Sequence, residues 1–409
     1  MDLPPVLQWL NGENKMPIGG DKIGLLATAG VASGNYWGDS SDGALSTSGS
    51  VTYTVANKSG SYDGDMYVAN YSSLTINASH TITVDQPCRG LLVYVAGDCT
   101  IAGTLSMALK GGSSNPTSSG GNDSAAVSAT GLRLPMLKDG SSETLAAADF
   151  AGCGSAAVSS VAEQTGIEGD GKIYTIAKAG AAGGASQNTP SCGNNTSPGG
   201  TAGIVGSSGS SSLPISTGGG GSGGTGKHYG SPNGTSGAGG DGGCFSGGSG
   251  GGGCVSRHSA YSGNPGADYG GAGGNGGSAG GSSGSAGGAG NPSGTNYTSG
   301  VNFTDAEDGS GGLLILLVKG DLTVSSGGSI LATGAAGSTN ASGYACGNSG
   351  GTGAGAILVL HGGSYSNSGT VAAVGGAKGN GTAGCTGAPQ IAPGGAGGAG
   401  GVFVEAVDE

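Results

Sequence analysis

Soft ligands and nucleophiles are scarce in this chain, so the place where four of them gather is the first to weigh: His228, Cys244, Cys254 and His258. Two cysteines and two histidines can hold zinc tetrahedrally. Here, however, nine residues separate the cysteines, where structural fingers use two to four, and a Cys244–Cys254 disulfide is the stronger reading. Cys346 with Cys385 is the other natural pair, and no two of the eight cysteines form a CxxC. The segment Gly221–Lys227 has P-loop spacing, but His228 stands where the metal-binding Ser or Thr belongs and no strand precedes it, so the match is a chance product of glycine density. Asp63-Gly64-Asp65 reads as a turn, not a calcium loop. Glu163, Glu168 and Asp170 form a tight acidic cluster, but it lies in a region without strand periodicity and few aromatics surround it. The expectation is a chain that is not an enzyme and has no cofactor and no metal.

Recognition chemistry is better represented. Within the longest glycine-rich stretch the large side chains are few and grouped: Tyr229, Phe245, Arg257, His258, Tyr261 and Tyr269. Aromatic faces and a planar guanidinium on a scaffold of small residues offer stacking and bidentate contacts to a glycan or a protein epitope. The same rings would equally serve to plug gaps between glycine segments or subunits, and the sequence leaves both readings open.

The composition limits what can position these residues. With 99 Gly in 409 residues, 35% hydrophobic, 5% aromatic and 9% charged, each core must be thin and built from small aliphatics. Thin cores and open strand edges point to a homo-oligomer, a trimer being favoured. The net charge of −12 with only 13 Lys and Arg disfavours nucleic acid as a partner. No run of about 18 apolar residues occurs, so no membrane insertion is expected. The first residues, Met1 to Leu10, are acidic and interrupted by Pro4 and Pro5, unlike a secretory leader. The segment 1–38 carries both tryptophans, Trp9 and Trp37, and is read as an anchor to another particle component, or else as a cap folded over the first strands.

Internal repeats supply the elements. Gly90–Lys110 contains an aliphatic run, a Gly-Asp turn and a Thr-Ile strand; the same layout returns at Gly312–Gly334, more loosely at Ala356–Gly376, and starts again at Gly401. Runs such as Leu91–Val95 and Leu313–Val318 fit strands covered on both faces. The alternation in Tyr71–Val84 and Ser50–Val55 fits earlier strands of the same kind. Glycine-rich excursions leave after each unit, and in 264–290 and 393–401 glycine recurs as Gly-Gly-X, the three-residue period of polyproline II. The predicted fold is all-β: stacked β-rungs, solenoid- or sandwich-like, with a large glycine-rich insertion partly packed as polyglycine II helices. The predicted division is an N-terminal segment 1–38, β-rungs in 39–110, the insertion 111–310, and a second part of the β-rung domain in 311–409.

The segment from Tyr71 to Ile76, followed by Gly90 to Leu105, resembles the β-rung repeats of bacteriophage tail-fibre and particle-surface proteins, and the Gly-Gly-X blocks resemble the polyglycine tips of tail adhesins. These likenesses cover roughly 45–110 and 264–409 and are similarities of pattern; 131–215 matches nothing in them. The resemblance implies an oligomeric virion protein, assembled in the host cytoplasm and displayed on the particle surface. It also implies a host receptor held through distal loops. A capsid-decorating fibre and a glycine-rich bacterial surface protein are the other classes the sequence admits.

Overall fold

A computed structural model describes residues 37–56, 66–88, 90–111, 309–337, 350–380 and 393–406, with short pieces between 134 and 270. Before the insertion come β1 (Gly43–Ser46), β2 (Val51–Tyr53), β3 (Tyr67–Ile76), β4 (Thr81–Val84), β5 (Leu91–Val95), β6 (Cys99–Ile101) and β7 (Thr104–Ser106). Short strands follow: β8 (Leu134–Lys138) and β9 (Ser141–Leu145) pair as a hairpin, and β10 (Gly154–Ser155), β12 (Gly206–Ser207) and β13 (Ser216–Thr217) form an antiparallel sheet. Also in this stretch are β11 (Lys172–Thr175), β14 (Thr225–His228), β15 (Cys254–Arg257) and β16 (Tyr269–Gly270). The chain then supplies β17 (Leu313–Val318), β18 (Leu322–Val324), β19 (Ser329–Leu331), β20 (Ala356–His361), β21 (Tyr365–Asn367), β22 (Thr370–Ala372) and β23 (Val402–Ala406).

The aliphatic runs are neighbours. β5, β17, β20 and β23 pair in parallel, with Leu316 level with Val93 and Val359, and Leu358 level with Phe403. Parallel strands covered on both faces read as continuous apolar runs, which is why glycine-bounded Val, Leu and Ile announce them. Leu91, Val93, Leu314, Leu316, Ile357, Val359, Val402 and Val404 enter one core with Leu74, Ile82, Leu105 and Ile330. The alternate residues, among them Leu92, Leu317, Leu358 and Leu360, are buried on the other face.

The expected stacked-rung solenoid or sandwich is not what forms. The described strands make a ten-stranded, nearly closed, barrel-like sheet in the order β11-β23-β20-β17-β5-β3-β6-β18-β21, with β1 on β3, and a five-stranded sheet β2-β4-β7-β19-β22. All pairs in both are parallel except β11 with β23. The physical reason is β3. It runs unbroken through ten residues, pairing through Tyr67–Tyr71 with β5 and through Leu74–Ile76 with β6. One strand therefore welds two rows into a single curved sheet, where the alternation had placed one earlier rung over Tyr71–Val84. β4, the end of that stretch, belongs to the other sheet.

Near the first strands the core closes with aromatics: the Tyr53 ring stacks on Tyr67 with centroids 4.3 Å apart and an interplanar angle of 6°, and its hydroxyl bonds to that of Tyr71. Burial raises the pKa of all three phenols, most of all that of Tyr53, so they stay neutral.

Candidate functional site

The glycine segments have a definite hydrogen-bond arrangement. Successive N–H groups of 350–355 donate in rotation: Gly350 to Gly251 (2.9 Å), Gly351 to Gly395 (2.9 Å) and Thr352 to Ala335 (2.9 Å). The cycle then repeats, with Gly353 to Gly248 (2.6 Å), Ala354 to Gly398 (3.0 Å) and Gly355 to Ala332 (2.9 Å). A chain that addresses three neighbours in turn has three residues per turn and no bonds within itself. Its carbonyls accept from further segments, through Gly218, Gly221, Gly311 and Gly376. Backbone groups buried without side chains are thus satisfied laterally, as they must be. The arrangement includes residues 395–400 and draws on segments outside the insertion as well as within it; of 264–290 only Tyr269 and Gly270 are described, and they form β16.

Only glycine permits this spacing where segments touch. A Cβ on Gly353 would overlap the carbonyl oxygen of Gly218 and stand 2.7 Å from its carbonyl carbon and 2.9 Å from Gly248 N. Thr352, one of the fully buried residues of the array that are not glycine, has its hydroxyl donating to Gly309 O at 2.9 Å and accepting from Ala335 N at 2.7 Å.

Two of these segments carry the candidate site. Segments 218–222 and 247–251 run parallel, with Gly248 N–H donating to Gly218 O and Gly251 N–H to Gly221 O, both at 2.9 Å. Both run away from the aliphatic core, because Gly218 bonds to Ala354, close before β20, whereas Gly221 bonds to Gly351 further back. Three residues beyond their ends begin β14 and β15, which keep the parallel pairing from Thr225↔Cys254 to His228↔Arg257. β16 adds to β15 antiparallel, with Val255↔Tyr269 and Cys254↔Gly270.

A three-stranded sheet thus stands at the far end of the glycine array and gathers Lys227, His228, Ser256, Arg257 and Tyr269 in sequence positions that span roughly 40 residues. Two of the 13 Lys and Arg of a chain with net charge −12 fall here. Of the residues expected to contact a receptor, Arg257 and Tyr269 are placed in this sheet, on β15 and β16. Tyr229, Phe245, His258 and Tyr261 lie outside the described residues. Lys227 was weighed only as the end of a chance P-loop spacing, and no signal marks Ser256.

The remaining readings fall as follows. Trp37 is buried, 7% exposed, with its ring 3.3 Å from the point a Gly362 Cβ would occupy, so it packs on the chain itself; Trp9 lies outside the described residues. His228 and Cys254 of the weighed zinc set sit three register positions apart, roughly 10 Å along a strand, and Cys244 and His258 lie outside the described residues. Among the described residues, no group of three or more His, Cys, Asp or Glu comes together. Cys346, Cys385, Asp63, Asp65, Glu163, Glu168 and Asp170 also lie outside them. Cys88 and Cys99 are buried, and burial pushes the Cys99 thiol up to about 12.

One buried acid had no sequence signal. Glu405 of β23 is level with Leu360, 1% exposed, and among the described residues neither carboxylate oxygen has a hydrogen-bond partner; burial pushes its pKa up to about 7. Comparison of the chain with protein-family models, curated proteins and solved structures gives no match.

Proposed function

We propose that this chain is a structural and adhesive component of a bacteriophage particle, a tail fibre or receptor-binding protein, and that β14–β16 contacts the host surface. The observation that carries the proposal is that two hydrogen-bonded glycine segments and, three residues beyond their ends, β14 and β15 have the same parallel neighbours. An array whose neighbours are locked through their backbones is a stiff, side-chain-poor support, and a site on a rigid element holds its geometry better than a mobile loop does. Imidazole, guanidinium, ammonium and phenol groups at one end of such a support suit a hydroxyl-rich or acidic partner, which is the chemistry of a surface glycan or an acidic protein epitope. Docking to other virion proteins is assigned to residues before Trp37, with Trp9 as the apolar contact, because Trp37 itself is buried. The proposed assembly is a homo-oligomer on the virion surface.

The test is adsorption of particles carrying Arg257→Ala and Tyr269→Ala. Both chains should fold and assemble, since β15 and β16 belong to neither of the two sheets whose residues form the aliphatic core. Loss of a charge-assisted contact worth about 1.5–3 kcal/mol lowers host binding roughly tenfold or more. Assembled mutant particles that adsorb like the wild type would refute the assignment, and immunogold labelling that finds the protein off the particle would refute the virion reading.

A further inference from the structure

The two sheets end alike. Among the described residues, β1 and β2 pair on one side only, with β3 and β4, and β21 and β22 pair on one side only, with β18 and β19. The hydrophobic residues that pack on the core yet remain partly exposed are Leu45, Val51, Tyr67, Tyr365 and Val371. Every one except Tyr67 lies on an edge strand, and Tyr67 begins β3 beside them, so the partly exposed part of the core lies at these edges.

The two edges match. From edge to edge, one column of register partners reads Leu45, Leu74, Cys99, Leu322, Tyr365, and another reads Val51, Ile82, Leu105, Ile330, Val371. Between them on the outer side runs a hydroxyl column, Ser46, Thr75, Thr100, Thr323, Ser366. All strands in these columns are parallel, so the edge at β21 and β22 has the polarity that β1 and β2 of an identical chain would need to continue it. The open edge also has main-chain capacity. Thr370 N–H donates to Gly328 O and Ala372 O accepts from Ala332 N–H, so the intervening Val371 directs its N–H and C=O away from β19.

We infer that β21 and β22 of one copy receive β1 and β2 of a second copy, head to tail, extending both parallel sheets across the junction. Leu45 would meet Tyr365, Val51 would meet Val371 and Ser46 would meet Ser366, each column continuing in kind. Such a contact is heterologous: it does not close on itself, and repetition produces a linear fibre. The contact also explains why partly apolar edges of this sort, which soluble proteins ordinarily blunt with charge or proline, carry neither here. β11 lies on the outer edge of β23, where β3 of the incoming copy would arrive, and its pairing shifts register between Ile173 and Thr175; β11 is the element that must give way.

The experiment uses the full chain with one edge blocked at a time. Val371→Lys places a charge on the β22 edge and Val51→Lys on the β2 edge, with circular dichroism melting to confirm folding. The native chain should grow in mass with concentration by light scattering and show fibres by negative stain. Each variant alone should stay near 37.8 kDa, and an equimolar mixture should stop at two copies, because one free β1–β2 edge meets one free β21–β22 edge. A native chain that is a single copy at 100 µM, a closed oligomer that survives both substitutions, or folded variants that fail to pair on mixing would each overturn the inference. None of these outcomes bears on adsorption through β14–β16, so the two readings fail separately.

Discussion

Replacing Gly353 by Ala is the sharpest probe of the glycine array. Gly→Ala ordinarily stabilises by about 0.4–1 kcal/mol, because the unfolded chain loses freedom. At Gly353 the new methyl would overlap Gly218 O and lie 2.7 Å from Gly218 C, so segment 350–355 must retreat by roughly an ångström, the gap to ordinary van der Waals contact. Three bonds lie in the path of that retreat: Gly353 N to Gly248 O at 2.6 Å, Gly311 N to Gly353 O at 3.0 Å, and Gly218 N to Ala354 O at 2.9 Å. At about 1 kcal/mol each they contribute ~3 kcal/mol, and forced packing adds about 1–3 kcal/mol, so after the entropic gain the net loss is ~3–5 kcal/mol. The control is Gly49→Ala, where an added Cβ has no atom within 4 Å. Urea midpoints, with hydrogen exchange at 350–355, should show Gly353→Ala strongly destabilised and Gly49→Ala unchanged or slightly improved. Equal effects at the two positions would refute the close-packed array.

Other substitutions test separate parts. Glu405 has its pKa raised in the folded state from an ordinary 4.5 to about 7, so the fold favours the protonated acid; its contribution to stability is fully present below pH ~4.5 and is lost as pH rises through 7. Glu405→Gln should flatten that slope and raise the urea midpoint at pH 8. Leu316→Ala, at a fully buried site in β17, should cost about 2–5 kcal/mol by the same measurement. Tyr53→Phe leaves the Tyr71 hydroxyl without its partner and should cost about 1–3 kcal/mol. Cys88 and Cys99 should resist alkylation at pH 8 until the chain is unfolded, as followed by mass spectrometry of the labelled peptides.

How much of this could be read beforehand depends on what each residue carries in its side chain. Leu91–Val95, Leu313–Val318 and Ala356–His361 are strands buried on both faces, and burial of that sort leaves an uninterrupted aliphatic run between glycines. Their alignment as repeats brought together strands that do lie side by side. The course of β3 was hidden because Asn70-Tyr71-Ser72-Ser73, where it passes from β5 to β6, has no two-residue alternation. A strand that changes partners changes which neighbours its residues meet, and the closed curvature follows from that change. In the glycine array the three-residue period was visible, but which segment touches which was not, since one glycine is chemically identical to the next. For Trp37 the sequence left an anchoring contact and a cap over the first strands both open, because aromaticity marks contact without saying with what; in the structure its ring is buried. In the candidate site Arg257 and Tyr269 were legible as rare large side chains among glycines; the pairing of His228 with Arg257 was not, because it follows from the spacing of the segments beneath it.

The neighbours β5 and β17 are separated in sequence by the whole glycine-rich insertion, a fact that bears on how the protein is made. When β7 leaves the ribosome, the first half of each sheet can pair, but the edges of β5, β6 and β7 have no partner until β17 to β19 emerge roughly 200 residues later, about 10–40 s at ordinary elongation rates. The aliphatic edge Leu91–Val95 waits through that interval, and segments 218–222 and 247–251 cannot settle until Gly351, Ala354 and Gly353 arrive later still. Loop closure over such a length adds little to the equilibrium free energy, since its entropy grows only with the logarithm of length. The burden falls on kinetics instead: production of the folded chain should be limited by protection of the nascent half-sheet, and should respond to chaperone supply and growth temperature far more than the final stability would lead one to expect.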